Sequence, residues 1–149
     1  MFSLYALLGE GAPAVSPESL ADELKSLFRN DAGFSLQYEQ LPFAKHKSVT
    51  LRWGTWLARL NYEEGKKVVD DSAEISRILG SAAPPKLASI DKRIRAVFGD
   101  DEAREYTNQT IDLMEFLRGI KGAIVFDPQQ KDILGPPGQK NKESTESRH

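Results

Sequence analysis

The clearest periodic signal in the chain comes from Leu20, Leu24, Leu27 and Phe28, which share one helical face. Ser16 offers a side-chain cap, Pro17 suits the first helical position, and Glu18 meets the positive first turn. A helix is therefore predicted over Pro17–Arg29, stopped by Asn30-Asp31-Ala32-Gly33. Before it, Phe2–Leu8 is an apolar run closed by Gly9-Glu10-Gly11, which predicts a buried strand.

After the helix the period changes from 3.6 to 2. Phe34, Leu36 and Tyr38 alternate with Ser35, Gln37 and Glu39, and Val49, Leu51 and Trp53 alternate with Ser48, Thr50 and Arg52. Trp56–Tyr62 continues as a third strand after a break at Gly54-Thr55, giving an antiparallel meander that ends at a Glu63-Glu64-Gly65 turn. Val68, Val69, Ile75, Ile78 and Leu79 predict a helix over Lys66–Leu79, with Asp71 or Ser72 as alternative caps of a shorter one.

Residues 90–98 fit either period. Ile90, Ile94, Val97 and Phe98 suit a helix, whereas Ile94, Ala96 and Phe98 suit a strand with Arg93 and Arg95 outward. The stop at Gly99-Asp100-Asp101 favours a strand over Arg93–Phe98. Asp101 is then placed to cap a long helix, Glu102–Arg118, whose apolar positions are Tyr106, Ile111, Leu113, Met114 and Leu117. Ala123–Phe126 is fully apolar, as in a strand deep in a sheet, and Asp132–Leu134 returns as a last strand.

The order is β-α-β-β-β-α-β-α-β-β. Grouped strands and about three helices predict an α+β fold, with a single mixed or antiparallel sheet. One globular domain is expected over 1–134, and a disordered polar tail over 135–149.

Composition narrows the chemistry. Of 149 residues, 40% are hydrophobic and none is cysteine, so disulfides, thiolate metal sites and thiol catalysis are excluded. The 20 basic and 22 acidic side chains give a formal charge of −2, which argues against a dedicated nucleic-acid binder and permits a basic protein partner. The apolar N-terminus is too short to be a signal core with flanks or a membrane span, so a cytoplasmic protein is expected.

Histidine chemistry would have to use His46, which sits in a charged turn, Lys45-His46-Lys47; His149 ends the tail. No Gly-x-Ser-x-Gly elbow positions a serine. Gly9-Glu10-Gly11 lacks the third glycine of a dinucleotide loop and reads as a turn. Asp70, Asp71 and Glu74, and Asp100, Asp101, Glu102 and Glu105, are acidic clusters with the oxygen ligands Mg²⁺ prefers. The favoured reading places them at helix N-termini, facing the macrodipole. Lys86, Lys92, Arg93 and Arg95 read as a solvated basic stretch. Trp53 follows the inward phase of its strand, while Trp56 is either core or an exposed hot spot. Neither a catalytic residue, a cofactor nor a metal site is expected.

The C-terminal third carries a further signal. Ile90-Asp91-Lys92-Arg93-Ile94, Asp100-Asp101, Tyr106-Thr107-Asn108, Met114-Glu115-Phe116-Leu117 and Gly122-Ala123-Ile124-Val125-Phe126-Asp127-Pro128-Gln129 run in that order. This resembles small bacterial immunity proteins encoded beside polymorphic toxins, including those of contact-dependent growth inhibition. In these a helix leads through glycine into an apolar strand ending in Phe/Tyr-Asp. The resemblance covers roughly residues 90–130 and implies a non-catalytic protein that binds and neutralises one toxin domain, expected to be a nuclease. A nuclease is usually basic, so Glu63, Glu64, Asp70, Asp71, Asp100, Asp101 and Glu102 are the expected partner-binding residues, together with Trp56 if exposed. The alternative is a general protein–protein adaptor or assembly module.

Overall fold

A computed structural model describes residues 1–134, so the expected tail over 135–149 lies outside the described residues. Its strands form one seven-stranded sheet in the order β2-β3-β4-β5-β1-β6-β7. They are β1 (Phe2–Leu8), β2 (Phe34–Glu39), β3 (Ser48–Trp53), β4 (Trp56–Glu64), β5 (Lys92–Phe98), β6 (Ala123–Asp127) and β7 (Asp132–Ile133). Every pairing is antiparallel. The helices are α1 (Pro17–Leu27), α2 (Lys66–Leu79) and α3 (Thr107–Arg118). The α+β class and element order agree with the sequence pattern, and residues 93–98 are strand.

Strand alternation sorts the side chains onto two faces. Leu4 and Ala6 of β1, Val49, Leu51 and Trp53 of β3, Ala58 and Leu60 of β4, and Ile94, Ala96 and Phe98 of β5 form the larger core with Leu20 and Leu24 of α1, its C-cap Phe28, and Leu113 and Leu117 of α3. On the reverse face Leu7 and Phe126 pack with Ile75, Leu87 and Ile90, so α2 and the segment after it cover the β1–β6 region. The reverse face of β2–β4 instead carries mostly polar residues: Ser35, Gln37 and Glu39, then Ser48, Thr50 and Arg52, then Arg59 and Asn61 beside Leu57, with Ser48, Thr50 and Asn61 buried.

α1 begins as its sequence dictates. The Ser16 hydroxyl accepts from Ser19 N–H at 3.0 Å, and the Ser19 hydroxyl accepts from Ser16 N–H at 3.0 Å. α3 corrects the expectation for Glu102–Arg118 by starting at Thr107. Asp101 does act as a cap, but of a turn: its carboxylate accepts from Glu105 N–H at 2.9 Å and Tyr106 N–H at 2.8 Å. Arg104 between them has φ 58, in the left-handed region that a helix cannot pass through. Ile111, expected on the apolar face, is 47% exposed.

The Gly9-Glu10-Gly11 loop is an internal turn. Gly9 N–H donates to Gly122 O at 3.0 Å. Gly122 has φ 79, and a Cβ there would lie 2.6 Å from Glu10 O. Among the described residues no helix is long and apolar enough to cross a membrane.

Candidate interaction site

The loop joining β2 to β3 is built by a proline. Ala44 N–H donates to Leu41 O at 3.2 Å, closing a turn in which Pro42 is the second residue and Phe43 the third. Gln40 Nε2 staples this turn by donating to Ala44 O at 3.0 Å. Proline fixes the second position of such a turn, and a positive φ at the third ordinarily calls for glycine or asparagine. Here the third residue is Phe43, with φ 64 and its side chain fully in solvent.

Beside Phe43 lies a cavity of about 210 Å³ between this loop, the ends of β4 and β5, and the first turn of α2. Leu41, Ala44, Tyr62 and Val68 give it apolar walls, and charged side chains from Lys45 to Arg95 complete them.

Most of those charges are already paired. Arg93 is 2% exposed, which corrects its reading as part of a solvated basic stretch. Its guanidinium donates to Glu63 at 2.8 Å and to Asp71 at 2.9 Å, and stands 4.6 Å from the Tyr5 ring centroid. A buried cation has to be matched in this way, because desolvation is otherwise prohibitive. Arg95 adds a contact to Glu63 at 3.2 Å. Glu64 accepts from Lys45 at 2.9 Å and from the Tyr62 hydroxyl at 2.9 Å. The Lys45 hydrogen bond is the main reason the Glu64 carboxyl is held down at about 2. Burial, reinforced by the Glu64 contact, pushes the Tyr62 hydroxyl up to about 12. His46 is half-buried and packs edge-on against Tyr62, 5.2 Å between centroids, with Nε2 3.6 Å from Glu64.

The seven acidic side chains singled out in the sequence are thus divided. Glu63, Glu64 and Asp71 are spent on cations around the cavity. Asp70 pairs with Lys66 at 2.9 Å on the surface of α2. Asp70 and Asp71 fall beyond the first turn of α2, which holds no acid, so they do not face the helix dipole as expected. Asp100, Asp101 and Glu102 lie past the other end of β5, about 20 Å away at ~3.3 Å per residue. There Asp100 meets the Met1 ammonium and Asp101 is occupied by its turn, while Glu102 and Glu105 are exposed with no ion-pair partner among the described residues. Neither cluster brings three ligands together, and no group of three metal-ligating side chains occurs among the described residues.

Trp56 is core. It is 3% exposed, its Nε1 donates to Gly99 O at 3.0 Å, and its ring stacks on Tyr106 at 5.1 Å and 5°. It is therefore unavailable as an exposed anchor. Among the described residues the most exposed aromatic is instead Phe43, with Tyr38 at 40%, and sequence reasoning passed Phe43 over. The signal was present: an aromatic in Leu41-Pro42-Phe43-Ala44 occupies a turn position that favours a residue without a large side chain.

Comparison with known proteins adds no relative: no family model, curated protein or solved structure matches the chain.

Proposed function

We propose that this chain is a non-catalytic immunity protein, acting in the cytoplasm, which binds a cognate toxin domain of basic surface, a nuclease in this reading, and holds it inactive. The observation that carries the reading is the division of the acidic side chains. The 100–105 loop offers Glu102 and Glu105 to solvent at one end of the sheet with no ion-pair partner among the described residues, beside an exposed Asp100 that pairs with the Met1 ammonium. An uncompensated acidic patch steers a basic partner and fixes its orientation, whereas acids already paired inside the protein contribute little to either. The docking residues of this proposal are thus narrowed to the 100–105 loop. The resemblance over residues 90–130 covers this loop, strand β5 before it and helix α3 after it.

Co-expression tests the reading. The C-terminal domain of a toxin encoded beside this gene should arrest growth when expressed alone, and growth should return with this chain. Growth arrest that persists despite soluble co-expression would contradict it.

A second reading, a general adaptor, draws on the reverse face of β2–β4. That surface carries Gln37, Glu39, Arg52 and Arg59 with no helix of the second core cluster over it. Arginine is favoured at protein interfaces. Loss of partner binding on reversal of Arg52 and Arg59, with 100–105 variants unaffected, would select the adaptor.

A further inference from the structure

The Phe43 turn and the cavity beside it form a knob and a hole on one surface. Two costs meet at Phe43. An aromatic side chain stands entirely in water, and an L-residue with a Cβ occupies a left-handed position. Glycine would remove both costs and asparagine much of them, and the turn itself is secured independently by Pro42 and the Gln40 staple. Strain and exposure at one residue point to a use outside the folded monomer.

The hole is suited to the knob. It has about 210 Å³, with an apolar part formed by Leu41, Ala44, Tyr62 and Val68 beside Phe43 itself, and polar or charged side chains over the rest. Apolar protein cavities of about 150 Å³ accept benzene, so a phenyl ring fits with room for its approach. Phe43 stands at the mouth of this cavity and, fully in solvent, does not fill it. A foreign protein would have to supply both a pocket for Phe43 and an anchor for the cavity. A second copy of this chain supplies both at once.

We propose that two copies of the chain associate about a two-fold axis at this surface, each inserting Phe43 into the cavity of the other. Such an interface is isologous, so the contact is made twice. The rim carries its charges as pairs within each copy, Lys45 with Glu64 and Lys67 with Asp71, so a second copy meets a surface of balanced sign rather than a like-charged face. The surface lies at the opposite end of β5 from the 100–105 loop, so the dimer leaves that loop free.

Sedimentation of the full chain from micromolar to hundreds of micromolar concentration tests this. The wild type should move from monomer to dimer across that range. Phe43→Ala, which empties the hole, should weaken dimerisation ~30-fold or more, the size expected for a buried aromatic anchor. Ala44→Phe, which fills the hole on an exposed residue, should weaken it as strongly while the circular dichroism spectrum stays unchanged. Ile111→Ser, at an exposed apolar residue on α3, should leave it intact. A wild type that stays monomeric overturns the proposal and leaves a foreign protein as the occupant. A dimer that survives both Phe43→Ala and Ala44→Phe overturns it as well.

Discussion

Arg93 Nη1 donates to Asp71 Oδ2 at 2.9 Å, which ties β5 to α2 across the reverse face of the sheet. The same guanidinium holds Glu63 on β4 at 2.8 Å, so one buried cation fixes three elements around the cavity. Removing it strands two carboxylates. Arg93→Ala should destabilise the protein by about 3 kcal/mol, the low end for a broken buried pair because Glu63 and Asp71 still reach water. Urea unfolding at neutral pH measures this, and a loss below about 1 kcal/mol would show that the triad contributes little.

Glu64 sets a pH dependence. Its carboxyl falls from the ordinary 4.5 to about 2 on folding, chiefly through Lys45. A depressed carboxylate contributes stability that is complete above the unfolded value and is lost as pH falls through the folded one. The melting temperature should therefore fall between pH 4.5 and 2, and Glu64→Gln should flatten part of that slope. Identical slopes for the two proteins would contradict the pairing.

Phe43→Gly should make the monomer more stable. Relief of the left-handed strain, about 1–2 kcal/mol, exceeds the entropy glycine adds to the unfolded chain, about 0.5–1 kcal/mol. A net gain of about 0.5–1 kcal/mol is expected in chemical unfolding at concentrations too low for association. A destabilised variant would mean that the Phe43 side chain supports its own fold.

Trp56→Phe should cost about 1–2 kcal/mol, because the Gly99 carbonyl loses its indole donor and the Tyr106 stack loses area. Thermal unfolding followed by circular dichroism checks this, and an unchanged melting temperature would place Trp56 outside the load on the core.

The strands were legible because their signal is local. Ile94, Ala96 and Phe98 alternate as β5 requires, and Val49, Leu51 and Trp53 do so in β3. Glu63 and Glu64 were read as a turn because charge suggested it, but β4 runs on through both, where Arg93 and Lys92 sit opposite in register. The start of α3 was missed for a conformational reason: Asp101 resembles a helix cap in sequence, and only the positive φ of Arg104 turns the chain first. The cavity was not legible at all, since Arg93 looks solvated within Lys92-Arg93-Ile94-Arg95 until β4 and α2 bring Glu63 and Asp71 to it.

The function proposed rests on which acids are free, and affinity for the toxin domain encoded beside this gene reads that directly. Isothermal calorimetry should show the double variant Glu102→Lys, Glu105→Lys losing about tenfold or more in affinity, with the loss growing at low salt. The charge-neutral variant Glu63→Gln, Glu64→Gln should bind as the wild type does. The reverse pattern, with the paired acids essential and the 100–105 loop dispensable, would contradict the account.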